Sequence, residues 1–352
     1  MNRFLGLLAF PLLGLSIIIV LAPPLPEPAC VIAGRILNEQ SGEPLENANV
    51  FLAGTTIGMS SGPRGEFLLR SVLTGGQDLV VSLVGYDRRV IHLALTAGDS
   101  TFLTVSLMPH VLLGEQIQVV ASEPKEWKEN LVRFEKVLFG EGEFADQCRL
   151  LNPYVIDLKL TGDRLVGRSD SLLRVENPAL GYTMGVVIRK FEWDVRHDRG
   201  SWAAYVHFRE SIPRSQDQRE EWRDHRRSAY EGSMRHFFWA LAHRRLMQEG
   251  FAMRTGNMIS YSQRWTEISE DSIHLLQDPG TQLIQWIYPD WVRIDLDFPS
   301  KDPGYIHLVQ DHALIDSSGV LVTPLAFDLG GRWGRERMGS LLPVDYFPDT
   351  HR

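Results

Sequence analysis

The sequence has little cysteine and none of the short motifs that mark common metal and nucleotide sites. Cys30 and Cys148 are the only cysteines. Two are too few for a disulfide framework, although they could pair in an oxidising compartment. No Cys-x-x-Cys pair, His-Glu-x-x-His motif or glycine-rich phosphate loop occurs, so zinc-ribbon, zinc-protease and nucleotide-binding patterns are excluded. The sequence therefore predicts neither a metal site nor a cofactor.

The composition is that of a globular protein with an acidic balance. Hydrophobic residues make up 44% of the 352 residues and charged residues 23%, which is typical of chains that bury a core. The formal net charge of -8 disfavours a nucleic-acid partner. The length predicts about two domains.

The first 29 residues have the pattern of an export segment. Residues 4–22 are apolar and uncharged and follow Arg3, and a run of this length can span a bilayer. The proline-rich residues 23–29 would end any helix. We interpret residues 1–29 as a signal peptide or an N-terminal membrane anchor, and lipid attachment at Cys30 is a third alternative. The expected location is the periplasm, the outer membrane or the cell surface.

Residues 30–110 show short apolar runs that alternate with polar residues and are separated by turn residues. This pattern predicts an all-β sandwich or barrel of seven strands. Gly42 and Gly65 occupy places where hairpin turns need a positive φ. In the second predicted strand, Ala48, Val50 and Leu52 should face inward because side chains alternate along a strand.

The spaced residues of this region resemble the carboxypeptidase regulatory-like domain. The matching positions are Gly34, Ile36, Gly42, Pro44, Leu45, Ala48, Val50, Leu52, Gly54, Thr55, Gly58, Gly65, Phe67, Val84, Gly85 and Tyr86. The resemblance implies a transthyretin-like Greek-key β-sandwich, common in envelope proteins of Bacteroidetes-type bacteria. It implies a scaffold or interaction module and no peptidase activity.

The remaining chain is predicted to be a linker strand at 111–125 and a mixed α+β domain at 126–352. Its longest helix is predicted from Asp217 to Gly250, with the glycine as its C-terminal cap. Several phrases, among them Tyr230-x-Gly232-Ser233 and Leu341-Leu342-Pro343, resemble an uncharacterised region that follows the regulatory-like module in related envelope proteins. The predicted fold class is therefore mostly β, with an α+β second domain that contains one long helix.

Ser233 and His236 are the candidates for catalysis. They stand three residues apart in the predicted helix, so their side chains can touch. No Gly-x-Ser-x-Gly elbow surrounds Ser233, and close helix packing at Gly232 is the alternative interpretation. His207 and Glu210 match His-x-x-Glu, but positions i and i+3 of a strand point to opposite faces. The sequence leaves enzyme activity open and does not favour it.

Trp222, Tyr230 and Arg235 are the candidates for binding. The predicted long helix carries many arginines, which either form a solvated face or bind an anionic ligand such as lipid headgroups or polysaccharide. The arginines are Arg223, Arg226, Arg227, Arg235, Arg244 and Arg245. Exposed tryptophans could stack on sugars, although most should lie in the core.

Together these patterns predict an exported cell-envelope protein that binds or scaffolds a protein or glycan partner without catalysis. One alternative is a hydrolase with its site around His236. Another is an accessory component of a membrane assembly, anchored through residues 4–22.

Overall fold

The computed structural model describes residues 29–110, 125–256, 265–273, 276–277, 283–297 and 300–348. The predicted signal or anchor segment up to residue 28 and the linker strand at 111–124 lie outside the described residues. Among the helices in the described ranges, none is both long and apolar enough to cross a membrane.

Seven strands fill residues 30–107, as the alternation pattern predicts. They are β1 (Cys30–Asn38), β2 (Asn49–Leu52), β3 (Gly58–Ser60), β4 (Glu66–Val72), β5 (Gly75–Ser82), β6 (Arg89–Leu95) and β7 (Ser100–Leu107). They form one sheet in the order β4-β1-β7 and a second in the order β3-β2-β5-β6. Strands β1 and β7 run parallel, and the other pairs are antiparallel.

The two sheets enclose one hydrophobic cluster. Ala48, Val50 and Leu52 are fully buried in it, which agrees with the predicted inward face of β2. Gly34 allows the sheet to close, because a Cβ there would lie 2.1 Å from the Leu103 carbonyl oxygen. Gly65 has a φ of 71° and turns the chain into β4, a conformation that favours glycine.

The second region begins with a helix and a six-stranded sheet. Helix α1 spans Lys125–Phe139, and its Phe134 and Leu138 are buried against the sheet. The strands are β8 (Arg149–Leu150), β9 (Asp157–Thr161), β10 (Arg164–Arg168), β11 (Leu173–Asn177), β12 (Tyr182–Asp194) and β13 (Arg199–Glu210). Their order is β8-β11-β12-β10-β9, and β13 pairs with β12 along its length.

The predicted long helix from Asp217 to Gly250 is wrong, because the chain breaks it in two. Helix α2 spans Gln216–Tyr230 and helix α3 spans Met234–Ala242. Between them Gly232 adopts a φ of 73°, a left-handed conformation that no α-helix accommodates. A new helix then starts at Ser233, whose Oγ accepts a hydrogen bond from the His236 amide, as an N-cap does.

Two further sheets follow α3. The strands are β14 (Phe251–Thr255), β15 (Thr266–Ile268), β16 (Leu276–Gln277), β17 (Ile284–Trp286), β18 (Val292–Leu296), β19 (Gly304–Leu308), β20 (Ala313–Ile315) and β21 (Phe327–Gly330), and helix α4 is Gly331–Arg335. The sheet orders are β15-β14-β18-β19-β21 and β16-β17-β20. The fold is mostly β, as predicted.

The second region holds two hydrophobic clusters. One joins α1, the six-stranded sheet and α2, and the other surrounds α3 and the two later sheets. The division of the chain at residues 30–110 and 126–352 stays a prediction.

The two cysteines are free and buried. Cys30 lies in the core of the sandwich, where its Sγ donates to the Thr96 carbonyl. Cys148 lies in the cluster of the six-stranded sheet, and burial raises the pKa of its thiol to about 12. Each thiol therefore contributes to a separate core.

The sandwich is joined to the second region by backbone hydrogen bonds. The loop after β2 contributes Gly54, whose amide donates to the Val206 carbonyl, and Thr55, whose carbonyl accepts from the Phe208 amide. On the sheet face beside this loop, Phe51 and Val80 of the sandwich pack against Val187 and Tyr205. This junction forms one side of the cleft described below.

Candidate functional site

A cleft of about 1000 Å³ opens where the sandwich meets the second region. Four segments of the chain surround it: the loop after β2, the end of β13, helix α2 and the C-terminal tail at 343–348. We call it the arginine cleft. Its lining is Thr56, Gly58, Tyr182, His207, Phe208, Arg209, Glu210, Ser211, Pro213, Arg219, Trp222, Arg223, Arg226, Arg227, Pro343, Asp345, Tyr346, Phe347 and Pro348.

The lining of the arginine cleft carries more positive than negative side chains. Its lining has five arginines and two carboxylates, although the whole chain is acidic. Arg209 and Arg219 are exposed, and no carboxylate in the described part of the chain pairs with either of them. Arginine forks bind carboxylate and phosphate groups in a bidentate manner. The cleft can therefore receive an anionic ligand.

Arg226 is held in place by the wall of the cleft. Its Nη1 donates to Glu210 Oε1 over 2.8 Å and its Nε donates to the Leu180 carbonyl over 2.8 Å. The guanidinium also stacks on Tyr182, 4.1 Å from the ring centroid. Arg226 thus supports the wall, whereas Arg209 and Arg219 remain available for a ligand.

The C-terminal tail owes its position to Arg235. The Arg235 Nη1 donates to the Pro343 carbonyl over 2.7 Å, and Nη2 donates to the carbonyls of Val344 and Tyr346 over 2.6 and 2.8 Å. The guanidinium also stacks on Phe347 at 4.7 Å. Removal from water lowers the pKa of Arg235. This side chain therefore positions a wall of the cleft.

Asp345 connects the tail with the sandwich. Its carboxylate accepts hydrogen bonds from the Thr56 amide, at 3.1 Å to Oδ1, and from the Thr56 hydroxyl. The Val344 amide also donates to the Gly54 carbonyl. The tail thus touches both α3 and the sandwich and closes the cleft on one side.

His207 lies at the base of the cleft, where its ring stacks on Phe51 with centroids 5.2 Å apart. Burial lowers the pKa of His207, Arg209 lowers it further, and the Thr56 backbone and Asp345 oppose this change. The folded chain therefore binds a proton here at lower pH than the unfolded chain does.

We expect acidification to weaken the fold through His207. Its contribution to stability is complete above the unfolded pKa near 6.5 and is lost as the pH falls below that value. The free energy of unfolding falls by about 1.4 kcal/mol per pH unit over the pH range in which His207 is protonated in the unfolded state and neutral in the folded state. Thermal unfolding at pH 7.5 and 5.5 should show a smaller drop for His207→Gln than for the unchanged protein. His92→Gln, at an exposed histidine outside the cleft, controls for the loss of a histidine as such, and a drop as small as that of His207→Gln would contradict this account.

All three predicted binding residues have structural contacts. Trp222 lines the cleft, but it is buried, and its Nε1 donates to the Pro178 carbonyl over 2.8 Å. Tyr230 is fully buried beside His236, and burial raises its pKa to about 12. Arg235 holds the tail. Their role in binding stays a prediction, and only Trp222 reaches the lining.

The catalytic candidates lie next to each other without forming a nucleophile and base pair. The Ser233 Oγ accepts from the His236 amide, not from its ring. The His236 Nδ1 accepts from the Gly232 amide over 3.1 Å, and Nε2 lies 3.4 Å from Glu249 Oε2. His236 is 4% exposed, so a substrate would have no direct access to the ring. Catalysis at this position stays a prediction.

The described residues contain no group of three or more His, Cys, Asp or Glu side chains arranged to hold a metal ion. The most buried carboxylate in the strands is Asp295, which is 0% exposed. It accepts hydrogen bonds from Arg254, at 3.2 Å, and from Arg293, at 2.9 and 2.7 Å. The carboxylate oxygens of Asp295 are therefore bonded to arginines, which are the positive charges beside it.

Sequence reasoning missed Arg209, Arg219 and Asp345 as site residues. Arg223, Arg226 and Arg227 were visible as an arginine-rich helix face, and the structure places all three in the cleft lining. Arg219 belongs to the same helix, so its spacing of four from Arg223 is a signal for a shared face. Arg209 and Asp345 come from distant segments, and no local pattern connects them.

The described sandwich is a two-sheet β domain, and comparison with known families gives its type. Residues 32–119 match the family model of the CarboxypepD_reg-like domain. This match confirms the resemblance seen in the glycine and apolar spacing. A comparison with curated proteins gives no match.

Several solved structures share local similarity with the chain. A group B streptococcus pilus 2b backbone protein is 15% identical, with 24% of this chain and 42% of that chain covered and a TM-score of 0.20. DUF3823 family proteins from Bacteroides ovatus and Parabacteroides merdae are each 9% identical. The match with the Bacteroides ovatus protein covers 82% of this chain and 99% of that chain, with a TM-score of 0.18. The match with the Parabacteroides merdae protein covers 52% of this chain and 81% of that chain, with a TM-score of 0.19. The chain thus spans less than half of the pilus protein, and none of these scores supports an argument about function.

Proposed function

We propose that this chain is a non-catalytic binding protein of the cell envelope, and that the arginine cleft binds an anionic part of a protein or glycan partner. The observation that carries the proposal is the cleft itself. It concentrates five arginines on a chain of net charge -8. A local charge of opposite sign to the whole molecule steers an anionic ligand to one place.

The shape of the cleft supports binding of an extended ligand. A volume of about 1000 Å³ is at the upper end of ordinary ligand sites. Apolar side chains of Phe347, Pro213 and Pro348 stand among the arginines in its lining. Such a mixture supplies apolar contact area and a few directed charges, which is the usual composition of a binding site.

The envelope location rests on two features of the sequence. The apolar, uncharged residues 4–22 have the length and the position of an export or anchor segment. The CarboxypepD_reg-like domain follows directly at 32–119, and such β-sandwiches act as modules that present or position other surfaces.

The proposal is tested with full-length protein and three polymers: polyglutamate, polygalacturonate and a neutral glucan. We expect an acidic polymer to bind and the neutral glucan not to bind. The double substitution Arg209→Ala with Arg219→Ala should weaken binding at least about tenfold, because each charged hydrogen bond contributes roughly 1.5–3 kcal/mol. Binding should also weaken as salt is raised, since screening reduces attraction between exposed charges.

A control of equal charge separates the cleft from general electrostatics. Arg70→Ala with Arg199→Ala removes two exposed arginines outside the cleft lining and changes the net charge by the same amount. It should leave affinity within about twofold. Equal losses from both double variants, or no binding of either acidic polymer, would contradict the proposal.

A further inference from the structure

Strand β7 gives the described sandwich a long edge without charged residues. In the order β4-β1-β7 it lies at the end of its sheet, and its eight residues, Ser100–Leu107, carry no charge. The other edge strands differ. Strand β4 carries Glu66 and Arg70, β6 carries Arg89 and His92, and β3 is only three residues long. Charged residues and short edge strands are devices that prevent pairing with another chain, and β7 has neither.

The register of β7 shows which of its backbone groups face away from the sheet. The Val31 amide of β1 donates to the carbonyl of Asp99, which directly precedes β7, so the odd-numbered residues face β1. Amide and carbonyl of one strand residue point to the same side, and the side alternates along the strand. The even-numbered residues therefore face outward. The Ser106 carbonyl agrees with this, because the Arg89 Nε donates to it over 3.2 Å.

Ser100, Phe102 and Thr104 form the open part of this edge. All three are exposed, and Phe102, in the middle, is 69% exposed. No hydrogen bond from another described residue reaches their amides or carbonyls. Phe102 also stands in one row with Ala33 and Leu68 on the outer face of the sheet, and Leu68 is 40% exposed. The open edge thus lies beside an exposed apolar row.

We infer that two copies of the chain pair through this edge, with their β7 strands antiparallel about a two-fold axis. Phe102 of one copy lies opposite Phe102 of the second copy, and Ser100 lies opposite Thr104. Each of these opposed pairs exchanges two hydrogen bonds. The ladder ends before Ser106, whose carbonyl is already bound to Arg89. The two three-stranded sheets become one continuous sheet across the axis.

The chemistry of the edge favours a second copy as its partner. A strand without charges brings no like charges together when it pairs with itself, and the two Phe102 rings form a cross-strand aromatic pair. The same groups serve both sides, as in every isologous interface. In this register Ser106 lies opposite Gly98 of the second copy. Arg89, bound to Ser106, therefore comes near Asp99 of that copy, and opposite charges meet at both ends of the ladder.

Position 102 permits a test of the register by cross-linking. In the dimer it lies opposite itself, with about 5.5 Å between the Cα atoms of the pair, a distance that a disulfide can bridge. We expect Phe102→Cys to give a disulfide-linked dimer under mild oxidation. Thr104→Cys is the matched control, because the two copies of this position are four residues apart along the ladder, about 13 Å at ~3.3 Å per residue. The native cysteines are buried and should not react.

Sedimentation equilibrium of the full-length protein measures the Kd of the dimer. Thr104→Pro removes an outward amide that each copy uses, and proline is tolerated at a free strand edge. We expect it to raise the Kd at least about tenfold relative to Thr104→Ala, because the dimer loses two hydrogen bonds. Circular dichroism and thermal unfolding check that both variants fold.

A second pair of variants tests the side chains. Phe102→Lys places two ammonium groups opposite each other and should also raise the Kd at least about tenfold. Leu68→Lys is its control, because it adds the same charge to the same face of the sheet but on β4, away from the two-fold axis. It should change the Kd by less than about twofold.

Three outcomes would overturn the inference. The first is a dimer that Thr104→Pro and Phe102→Lys leave unchanged, which would place the interface elsewhere. The second is equal cross-linking through positions 102 and 104. The third is a protein that stays monomeric at every concentration. In that case hydrogen exchange at the Phe102 and Thr104 amides distinguishes an edge covered by the same chain, with slow exchange, from an edge open to a different partner, with fast exchange. None of these outcomes bears on the arginine cleft, whose own test is independent.

Discussion

Replacing Arg235 by methionine is expected to lower the free energy of unfolding by roughly 3 kcal/mol, because three carbonyl groups of the tail lose a charged donor. Those carbonyls belong to Pro343, Val344 and Tyr346. Methionine replaces most of the apolar stem of arginine, so the loss comes mainly from the hydrogen bonds. Chemical denaturation at constant pH measures the change. Arg235→Lys should recover only part of it, because an ammonium group cannot reach three carbonyls in a fork.

The matched control is Arg244→Met, at an exposed arginine near the end of the same helix whose ion pair with Asp271 is long, at 3.8 Å. Its effect should stay within about 0.5 kcal/mol. Arg235→Met should also weaken ligand binding in the arginine cleft, because Tyr346 and Phe347 form part of the lining. A fully stable Arg235→Met variant would show that the tail has another support.

Asp295→Ala should lower the free energy of unfolding by about 3–5 kcal/mol, the usual effect of removing one partner from a buried ion pair. Asp295 is completely buried between Arg254 and Arg293, whose side chains are only 13% and 19% exposed. Without the carboxylate, two neighbouring guanidinium groups would repel each other in a poorly solvated place. The Ser300 amide would also lose its acceptor.

Denaturation of the Asp295→Ala variant is compared with that of Asp328→Ala, an exposed carboxylate on the edge strand β21 of the same sheet. The control should change stability by less than about 0.5 kcal/mol. Combining Asp295→Ala with Arg293→Met should recover part of the loss, because it removes one of the two cations that the carboxylate compensates. Additive losses in the double variant would contradict this account of the triad.

The sandwich could be predicted because the signals for its strands and turns lie in short stretches of sequence. Alternating apolar residues gave the strands, and Gly34 and Gly65 stand where the backbone leaves no room for a Cβ or needs a positive φ. The family match at 32–119 depends on the same spacing. The break between α2 and α3 was missed because helical periodicity continues across it. One glycine, Gly232, changes the chain direction, and the apolar pattern does not record its φ.

The arginine cleft could be predicted only in part. Its helix face was visible, since Arg223, Arg226 and Arg227 share one segment. The other walls are brought together by tertiary contacts, such as Thr56 with Asp345 and Arg235 with the tail. No periodicity within a window of sequence reports such contacts. The chemical types of these residues do not indicate a site either, because exposed arginines and aspartates are common on any protein surface.

The bond between Thr56 and Asp345 has a consequence for the order in which the molecule folds. It joins residues that are 289 positions apart, so its formation closes almost the whole described chain into a loop. Closing such a long loop costs chain entropy before the contact can stabilise the fold, and proteins rich in long-range contacts fold slowly. The sandwich and the sheets of the second region can each gain their local contacts first. We therefore expect the cleft to form late during folding and to open early when the native state fluctuates.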